Sequence, residues 1–411
     1  MTKIENLIQR YCPDGVQFSP IWELTAWDKK FNAVDKHKQP VVMSYKYFLA
    51  SDLKALASDQ GEIKLLTTNK SDLWTTEELA KPHLSEAELI AIPWGGNPQV
   101  QYYKGKFLTA DNRIAIAKNP ELLSIKFLYY YLVANLDQIA KLYKGAGIKH
   151  PSMDILLDIT VPVPPIEIQN EIVKILDKFS ELEAELEAEL VARKSQFDHF
   201  RDQLVSRLMG ECDWVPFGSV ATIVRGASPR PIEKYFSVDA GSVPWIKIGD
   251  TETGERYITN TAQRITLEGA KKSRKIEPGD FILSNSMSFG RPYISKIQGY
   301  IHDGWLAISD FRSSLIPEFL YYVLQSKHIQ NEFDQKSNSG SVSNLNAEIV
   351  KSVLIPIPGL ERQSKMVDML SKMEDLVISQ TIGLPAEINA RRKQFDYYRD
   401  KLLTFKELES A

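Results

Sequence analysis

The sequence of 411 residues has only two cysteines, Cys12 and Cys212, too few for a disulfide framework or for a zinc site on their own. No apolar run reaches the roughly 18 residues that a membrane span needs, and residues 1–15 lack the apolar core of a signal peptide. The six histidines show no spacing typical of metal ligands. We therefore expect a protein of the reducing cytosol with no bound metal and no membrane segment.

Motifs of nucleotide and methyl-group chemistry are also missing. The sequence contains no Walker phosphate loop and no G-x-G-x-x-G after a strand. The Asn/Asp-Pro-Pro-aromatic motif of amino-methyltransferases is absent, because Asn97-Pro98 is followed by Gln99. No group of carboxylates has the arrangement of a nuclease site. These absences indicate a chain that is not itself an enzyme.

The charge of the chain is unevenly distributed. Its net value of −3 neither supports nor excludes a nucleic-acid ligand. Residues 166–210 hold 6 basic and 10 acidic side chains, while the remaining segments are close to neutral. Five of these acids alternate through 181–189, where they form either a solvated helix face or a surface that repels phosphate. In both interpretations this stretch does not lie on DNA.

An internal repeat organises the chain into variable and shared segments. Val161-Pro-Val-Pro-Pro-Ile-Glu-Ile-Gln169 matches Ile355-Pro-Ile-Pro-Gly-Leu-Glu-Arg-Gln363, and Gln196-Phe-Asp-His-Phe-Arg-Asp-Gln-Leu204 matches Gln394-Phe-Asp-Tyr-Tyr-Arg-Asp-Lys-Leu402. Phe127-Leu-Tyr-Tyr130 likewise pairs with Phe319-Leu-Tyr-Tyr322. Residues 19–120 and 218–310 share little by comparison, so the order is variable, shared, variable, shared.

Both shared segments are predicted to be long helices that follow a Pro-rich stretch. Apolar residues in the first recur at coiled-coil spacing, at Ile168, Ile172, Ile175, Phe179, Leu182 and Leu186. An unbroken first helix of about 43 residues would span roughly 65 Å, or about 19 base pairs. The second copy has four extra residues near Gly383-Leu-Pro385, where we expect a kink or a short break.

Several short motifs together resemble those of a known family. They are Cys12-Pro-Asp-Gly-Val16, the Pro-rich segments with Gln169 and Gln363, the Phe-Asp-x-x-Arg-Asp motif near the end of each helix, Arg225-Gly-Ala-Ser-Pro-Arg230, Trp245-Ile-Lys-Ile-Gly-Asp250, Leu283-Ser-Asn-Ser-Met-Ser-Phe-Gly-Arg-Pro292 and Ile301-His-Asp-Gly-Trp305. In this order, and with the duplication, the sequence resembles the specificity (S) subunits of type I restriction–modification systems over nearly its whole length.

The resemblance implies a mixed α/β (α+β) chain with pseudo-twofold internal duplication. Two target-recognition domains, 1–160 and 211–354, would alternate with two antiparallel coiled-coil spacer helices, 161–210 and 355–411. Each domain would read one half of a split, asymmetric site in double-stranded DNA. Two methyltransferase (M) subunits would dock on the helices, and restriction (R) subunits would join them in a bacterial or archaeal cytoplasm. S-adenosylmethionine, ATP and magnesium would be bound by those partners and not by this chain.

Four stretches have residue types suited to DNA. Lys141–His150 and Lys336–Asn344 occupy equivalent places before the long helices, and their glycines let backbone approach phosphate. The loop 225–231 and the basic cluster 271–275 are the others, for which plain surface turns are the alternative interpretation. The predicted DNA-binding residues are Lys144, Lys149, His150, Arg225, Arg230, Lys271, Lys272, Arg274, Lys275, Lys336, Asn338, Ser341 and Asn344.

The long helices supply the predicted docking residues for partner subunits, which are Phe179, Leu182, Leu186, Phe197, Phe200, Leu204, Phe395, Tyr398 and Leu402. His302 and Asp303 have the residue types of catalytic groups, but we expect them in a turn. A different class of protein remains open at this point: a coiled-coil adaptor that joins two interaction domains without binding DNA. Salt-dependent duplex binding would distinguish the two hypotheses.

Overall fold

A computed structural model of the chain describes residues 3–251, 255–285, 290–337, 345–379 and 382–408. The chain divides into two compact units, here called unit 1 (residues 1–184 and 390–411) and unit 2 (residues 185–389). Each unit therefore contains one globular part and half of each long helical segment. Within the described ranges, no helix has the length and apolar character that crossing a membrane would require.

Unit 1 is built on a six-stranded mixed sheet. Its helices before the first long helix are α1 (Lys3–Tyr11), α2 (Ile21–Leu24), α3 (Ala50–Ala55), α4 (Glu77–Ala80), α5 (Ile125–Ala134), α6 (Leu136–Lys141) and α7 (Met153–Leu157). Its strands are β1 (Phe18–Pro20), β2 (Thr25–Trp27), β3 (Ile63–Leu66), β4 (Trp74–Thr75), β5 (Ser85–Pro93), β6 (Gln101–Thr109), β7 (Asn112–Ala117), β8 (Tyr143–Lys144), β9 (His150–Pro151) and β10 (Thr160–Pro162).

The sheet of unit 1 has the order β2-β7-β5-β6-β3-β4 and is covered on both faces. Alternate residues of β5 point to opposite sides, so Ile90 and Ile92 join one apolar cluster with α5 while Leu89 and Ala91 join another. Burial of both faces explains why the second half of this strand, residues 89–93, is a continuous apolar run. The helix α5 begins where the Ser124 hydroxyl accepts a hydrogen bond from the Phe127 amide.

Unit 2 has a five-stranded sheet, a four-stranded sheet and a two-stranded sheet of its first and last strands. Its strands are β11 (Trp214–Pro216), β12 (Thr222–Arg225), β13 (Val243–Ile246), β14 (Tyr257–Ile258), β15 (Gln263–Ile265), β16 (Arg274–Ile276), β17 (Phe281–Ser284), β18 (Pro292–Ser295), β19 (Gly299–Ile301), β20 (Trp305–Ser309) and β21 (Leu354–Pro356). Its globular helices are α9 (Leu267–Ala270), α10 (Pro317–Gln325), α11 (Lys327–Ser337) and α12 (Ala347–Ser352).

The main sheets of the two units share one topology, although their sequences share little. The order β12-β20-β17-β18-β14 in unit 2 matches β2-β7-β5-β6-β3 in unit 1. The pairings also agree, since the first three are antiparallel and the fourth is parallel in both sheets. Unit 2 adds the four-stranded sheet β15-β13-β19-β16, which packs on the main sheet through Ile246, Ile282 and Ala307. The duplication therefore extends into the variable segments.

The first shared segment forms a single helix, α8 (Ile166–Ser206), of 41 residues. In unit 1 it packs antiparallel on α14 (Gly383–Leu403), and in unit 2 on α13 (Leu360–Ile378). Phe179 lies 6.3 Å from Phe395 and stacks on Tyr398 at 5.6 Å between ring centroids. The predicted seam is wrong at one position, because Leu176 rather than Ile175 is fully buried.

The predicted break near Pro385 is confirmed. The helix α13 ends at Ile378, and α14 begins at Gly383, so Pro385 lies in the first turn of the new helix, where its missing N–H is not needed. Gly383 has φ +77°, and a Cβ there would lie 2.3 Å from the Leu376 carbonyl oxygen. Glycine is thus required where the chain turns back on α13.

The predicted docking residues differ in exposure. Phe197 and Leu402 are buried, so their side chains hold the helix pairs together within this chain. Phe179, Leu186, Phe200, Leu204 and Phe395 are half-buried. Leu182 and Tyr398 are each 37% exposed and present apolar surface outward. Docking of partner subunits on these helices stays a prediction.

Candidate nucleic-acid interface

In unit 1 the stretch predicted to contact DNA is a hairpin. Strands β8 and β9 pair with Lys144 opposite His150, and every residue from 144 to 150 is exposed. Gly145 has φ +143°, a conformation that an L side chain rarely adopts, and a Cβ there would lie 2.7 Å from the Ile148 carbonyl oxygen. The hairpin brings Lys144, Lys149 and His150 together. Neither lysine has an ion-pair partner among the residues that the structure describes.

The hairpin rests on the loop between β5 and β6. The Nδ1 atom of His150 lies 2.7 Å from the Trp94 carbonyl oxygen, and the two rings are 5.1 Å apart. The Gly96 amide donates to the Lys149 carbonyl at 3.1 Å. Two loops that are distant in sequence therefore form one exposed edge.

A charged network lies beside this edge. One carboxylate oxygen of Asp111 accepts hydrogen bonds from Lys29 at 2.9 Å and from Arg113 at 2.8 Å. The Arg113 guanidinium lies 3.9 Å from the centre of the Trp94 ring. Burial raises the pKa of Asp111, but the hydrogen bonds from Arg113 and Lys29 outweigh it and leave the pKa below its ordinary value. Asp111 is thus held as an anion that orients both cations.

Asp28, next to Lys29, provides a pH-dependent test of this region. Its buried carboxylate accepts a hydrogen bond from the Ile114 amide at 3.0 Å. Burial raises the pKa of Asp28 above its ordinary value, despite that bond and the nearby Lys29 and Arg113. The folded state therefore binds the proton more tightly than the unfolded state. The stability that comes from this tighter proton binding is fully present below the pKa of Asp28 in the unfolded chain. It is lost as pH rises through the pKa of Asp28 in the folded chain.

We expect Asp28→Asn to remove the loss of stability that ionisation of Asp28 causes as pH rises. Relative to the unmodified chain, the stability of the variant should increase from pH 4 to pH 7, because only the unmodified chain must ionise a buried acid. Thermal unfolding across this range, with the exposed Asp52→Asn as control, measures the difference. A constant difference with pH would show that Asp28 ionises in the folded chain as easily as in the unfolded one.

In unit 2 two of the predicted stretches meet at the turn that follows β19. The Arg225 Nε donates to the Asp303 carbonyl at 3.0 Å, and Arg230 pairs with the Asp303 carboxylate at 3.3 Å. Arg274 in β16 lies opposite Ile301, the residue that precedes the turn. The loop 225–231, the cluster 271–275 and the turn 302–304 therefore form one surface.

Asp303 organises this surface. Its carboxylate accepts a hydrogen bond from the Ser228 hydroxyl at 2.7 Å, and its carbonyl accepts from the Asn285 amide group at 2.9 Å. The Ser228 hydrogen bond lowers the pKa of Asp303, so the carboxylate is ionised at neutral pH. His302 Nδ1 accepts from the Gly304 amide at 2.8 Å, and burial lowers the pKa of His302. Both residues occupy the turn that we expected for them.

Gly226 is required for the contact between loop and turn. A Cβ at this position would lie 2.0 Å from the His302 carbonyl oxygen, a backbone atom that cannot move alone. We expect Gly226→Ala to separate β12 from the turn and to lower the stability by about 2 kcal/mol. Thermal unfolding should show this loss, while Gly241→Ala, whose Cβ meets nothing within 4 Å, should not. Equal stability of the two variants would contradict the close approach.

The basic cluster 271–275 divides into paired and unpaired side chains. Lys275 pairs with Glu277 at 2.6 Å, and Lys272 lies 3.6 Å from Glu268. Lys271 and Arg274 are exposed and have no ion-pair partner within the described ranges. Because an ion pair already offsets part of a side chain's charge, Lys271 and Arg274 are the stronger candidates for phosphate contact.

The fourth predicted stretch is only partly described. Asn338, Ser341 and Asn344 lie outside the described residues. Lys336 is tied to its own unit, since it pairs with Glu332 at 3.0 Å and donates to the Ser352 carbonyl at 3.3 Å. Leu345, the residue that follows this stretch, donates its amide to the Asn285 carbonyl at 3.2 Å. Leu345 therefore contacts the loop after β17.

The two surfaces occupy equivalent places on the shared topology. The Trp94 amide donates to the Asp111 carbonyl at 3.1 Å, and the Asn285 amide donates to the Gly304 carbonyl at 3.2 Å. In each unit this bond joins the loop after the third strand in the sheet order, β5 or β17, to the residue just before the second strand, β7 or β20. In each unit the segment before the next shared helix contacts that same loop, through Lys149 in one and Leu345 in the other.

Sequence reasoning missed Lys29. It follows β2 and binds the turn before β7, as Arg225 at the end of β12 binds the turn before β20. The segment Asp14-Gly-Val-Gln-Phe18 is similar to Asp213-Trp-Val-Pro-Phe217, and their positions just before these strands were an available signal. However, the number of residues from Phe18 to Lys29 differs from the number between Phe217 and Arg225. The equivalence of Lys29 and Arg225 is therefore visible only once the strands are paired.

No group of three or more His, Cys, Asp and Glu residues that could hold a metal ion occurs in the described part of the chain. The arrangement offers exposed polar loops and cations that fixed carboxylates orient, which are suited to binding a polyanion.

Comparison with known proteins identifies the family. The family model for the type I restriction modification DNA specificity domain matches residues 31–192 and 211–390. The chain belongs to the type I restriction–modification specificity subunits. The specificity subunit of the Escherichia coli type I restriction enzyme EcoR124I/EcoR124II is 32% identical over 431 aligned residues, which cover 100% of this chain and 99% of the relative.

Solved structures of specificity subunits share the fold. The S subunit from M. genitalium matches with a TM-score of 0.50 and 17% identity, over 95% of this chain and 96% of that one. A chain from work on complex assembly and conformational transition of the type I R-M system matches with a TM-score of 0.59 and 16% identity, over 95% and 98%. The predicted mixed fold with duplicated domains and a long helix is thereby confirmed.

Proposed function

We propose that this specificity subunit reads a split, asymmetric sequence in double-stranded DNA, one half with each unit, and directs methyltransferase and restriction subunits to it. The observation that carries the proposal is the shared sheet topology with unlike loops. Two equivalent surfaces, one on each unit, are built from sequences that do not match. Two DNA-binding units that share one fold but have different contact residues would suit a DNA site whose two halves differ in sequence.

The two surfaces would divide the work between positioning and reading. Lys144 and Lys149 in unit 1, and Lys271 and Arg274 in unit 2, would contact phosphates, which fix the orientation of the duplex without reading its sequence. His150, Arg225 and Arg230 lie on the same surfaces and carry donors suited to base edges. Since Asp303 orients Arg225 and Arg230, the hydrogen-bond donors of these two arginines would be fixed before the duplex binds.

The chemistry would belong to the partner subunits. S-adenosylmethionine, ATP and magnesium would be bound by the M and R subunits, and this chain would be non-catalytic. The long helices α8, α13 and α14 would dock the two M subunits, with the exposed Leu182 and Tyr398 among the contacts. The relatives support this proposal, since they are specificity subunits of enzymes that act with such partners.

Methylome sequencing tests the proposal. The chain is expressed with its M partner in a host that lacks adenine methylation, and modified sites are mapped with and without the chain. We expect one split motif to be methylated only when both subunits are present. If no split motif gains methylation and the chain shows no salt-dependent binding to duplex DNA, the adaptor hypothesis replaces the proposal.

A further inference from the structure

A buried glutamine joins the globular part of each unit to its long helix. Gln169, in the first turn of α8, donates through Nε2 to the carbonyls of Leu122 at 2.8 Å and Pro164 at 2.7 Å, and its Oε1 accepts from the Ser124 amide at 2.9 Å. Its side chain has no exposed surface. One amide thus links the start of α5, the Pro-rich segment and the long helix.

The second copy repeats this joint in unit 2. Gln363 donates to the carbonyls of Ser314 and Pro358, each at 2.8 Å, and accepts from the Ile316 amide at 2.8 Å. All partners in both copies are backbone atoms, so the bonds persist although the neighbouring side chains differ. Only a side-chain amide supplies two donors and an acceptor in this geometry, which explains why glutamine occupies both places.

In each unit a tyrosine of the globular part is hydrogen-bonded to the same long helix, about two to three turns after the glutamine. The Tyr130 hydroxyl donates to Asp177 at 2.7 Å. The Tyr322 hydroxyl donates to Glu374 at 2.8 Å and lies 3.1 Å from the Ser371 hydroxyl.

The acid and the serine have exchanged places between the copies. Asp177 and Ser371 lie eight residues after the glutamine, and Ser180 and Glu374 lie eleven residues after it. Each tyrosine keeps an acidic partner, although the position of that acid on the helix differs. The contact between a tyrosine and an acid, and not one fixed position on the helix, is what the two joints share.

The two contacts together fix the position of the globular part on the helix. A shift by one residue moves a helix by about 1.5 Å and rotates it by about 100°, which would break the bonds of both side chains. Each backbone carbonyl at the joint would then be buried without a donor. The joint therefore admits one position along the helix and excludes its neighbours.

We propose that Gln169 and Gln363 are positioning residues that set the gap between the two DNA half-sites by fixing each globular part on its long helix. The inference rests on the proposed function. A step of two helical residues, about 3 Å, is close to the roughly 3.4 Å that separates adjacent base pairs. A loosened joint that slips by two residues would therefore permit gaps one base pair shorter or longer, with unchanged half-sites.

The test maps methylation for Gln169→Met and Gln363→Met, each expressed with the M partner. We expect methylation at the original gap to fall at least tenfold, and the same half-sites to become methylated at gaps changed by one base pair. Gln138→Met, at an exposed glutamine of α6, should leave the motif unchanged. A fall in methylation at the original gap with no new gaps would mean a purely structural role and would overturn the inference.

A second series covers the case in which the glutamine variants do not accumulate. Asp177→Ser leaves Tyr130 without its acid and should broaden the permitted gaps, whereas Asp177→Ser with Ser180→Glu reproduces the arrangement of unit 2 and should restore the single gap. If the double variant behaves like the single one, the joint does not set the gap. Absence of any split motif with the unmodified chain would instead refute the proposed function itself.

Discussion

Replacing Lys144, Lys149, Lys271 and Arg274 with alanine is expected to abolish most of the affinity for duplex DNA. These four side chains are exposed, lie on the two equivalent surfaces and have no ion-pair partner within the described residues. Each phosphate contact contributes about −0.9 to the slope of log affinity against log salt. The variant should therefore lose about 3 to 4 from this slope, and about a thousandfold in affinity near 0.1 M salt.

Two control variants separate specific contacts from a general change of charge. Lys106 pairs with Glu77 at 3.1 Å and Lys351 with Glu348 at 2.8 Å, so Lys106→Ala with Lys351→Ala should change binding much less. Lys272→Ala with Lys275→Ala should have an intermediate effect, because both lysines have acidic neighbours. The measurement is fluorescence anisotropy of a labelled duplex at several salt concentrations. An unchanged slope in the fourfold variant would exclude these surfaces from the DNA interface.

Phosphate contacts and sequence preference should respond differently in the same variants. Lysine contacts to phosphate carry no base information, so the fourfold variant should weaken binding to all sequences to a similar extent. Any methylation that remains should therefore lie at the original motif. A change in the motif would mean that some of these side chains read bases.

The features predicted well from sequence are the local ones. Helical spacing depends on residues three and four apart, so the long helices and the break before Pro385 follow from the pattern alone. The choice between Ile175 and Leu176 was wrong because both lie on the inner side, and the partner helix decides which of them is fully buried. A single helix cannot specify this.

The shared sheet could not be predicted because its pairings are between distant segments. Strand β3 pairs with β6 in parallel, and β14 pairs with β18 in the same way, although the intervening segments differ in length and sequence. Strands of two to five residues buried on both faces carry no alternating pattern. Lys29 was missed for this reason, whereas Glu268 and Glu277, which pair with Lys272 and Lys275, lie within a few residues of the cluster in the sequence and were an available signal.

The strongest effect on folding is expected at Glu374, where the joint of unit 2 contains a buried ion pair. Glu374 is 8% exposed, pairs with Arg256 and accepts the hydrogen bond of Tyr322 at 2.8 Å. The Arg256 guanidinium also lies 4.8 Å from the centre of the Tyr321 ring. Glu374→Ala would leave this cation buried without an anion, which costs about 3 to 5 kcal/mol.

The chain supplies its own control for this prediction. In unit 1 the acid that accepts the tyrosine hydroxyl is Asp177, whose ion pair with Lys126 leaves 28% of each side chain exposed, so Asp177→Ala should cost only about 1 to 2 kcal/mol. Adding Arg256→Met to Glu374→Ala removes the unpaired charge and should recover at least about 1 kcal/mol. Urea unfolding of the full chain measures all of these variants. If Glu374→Ala costs no more than Asp177→Ala, water reaches Arg256 in the folded chain and the ion pair does not hold unit 2 to α13.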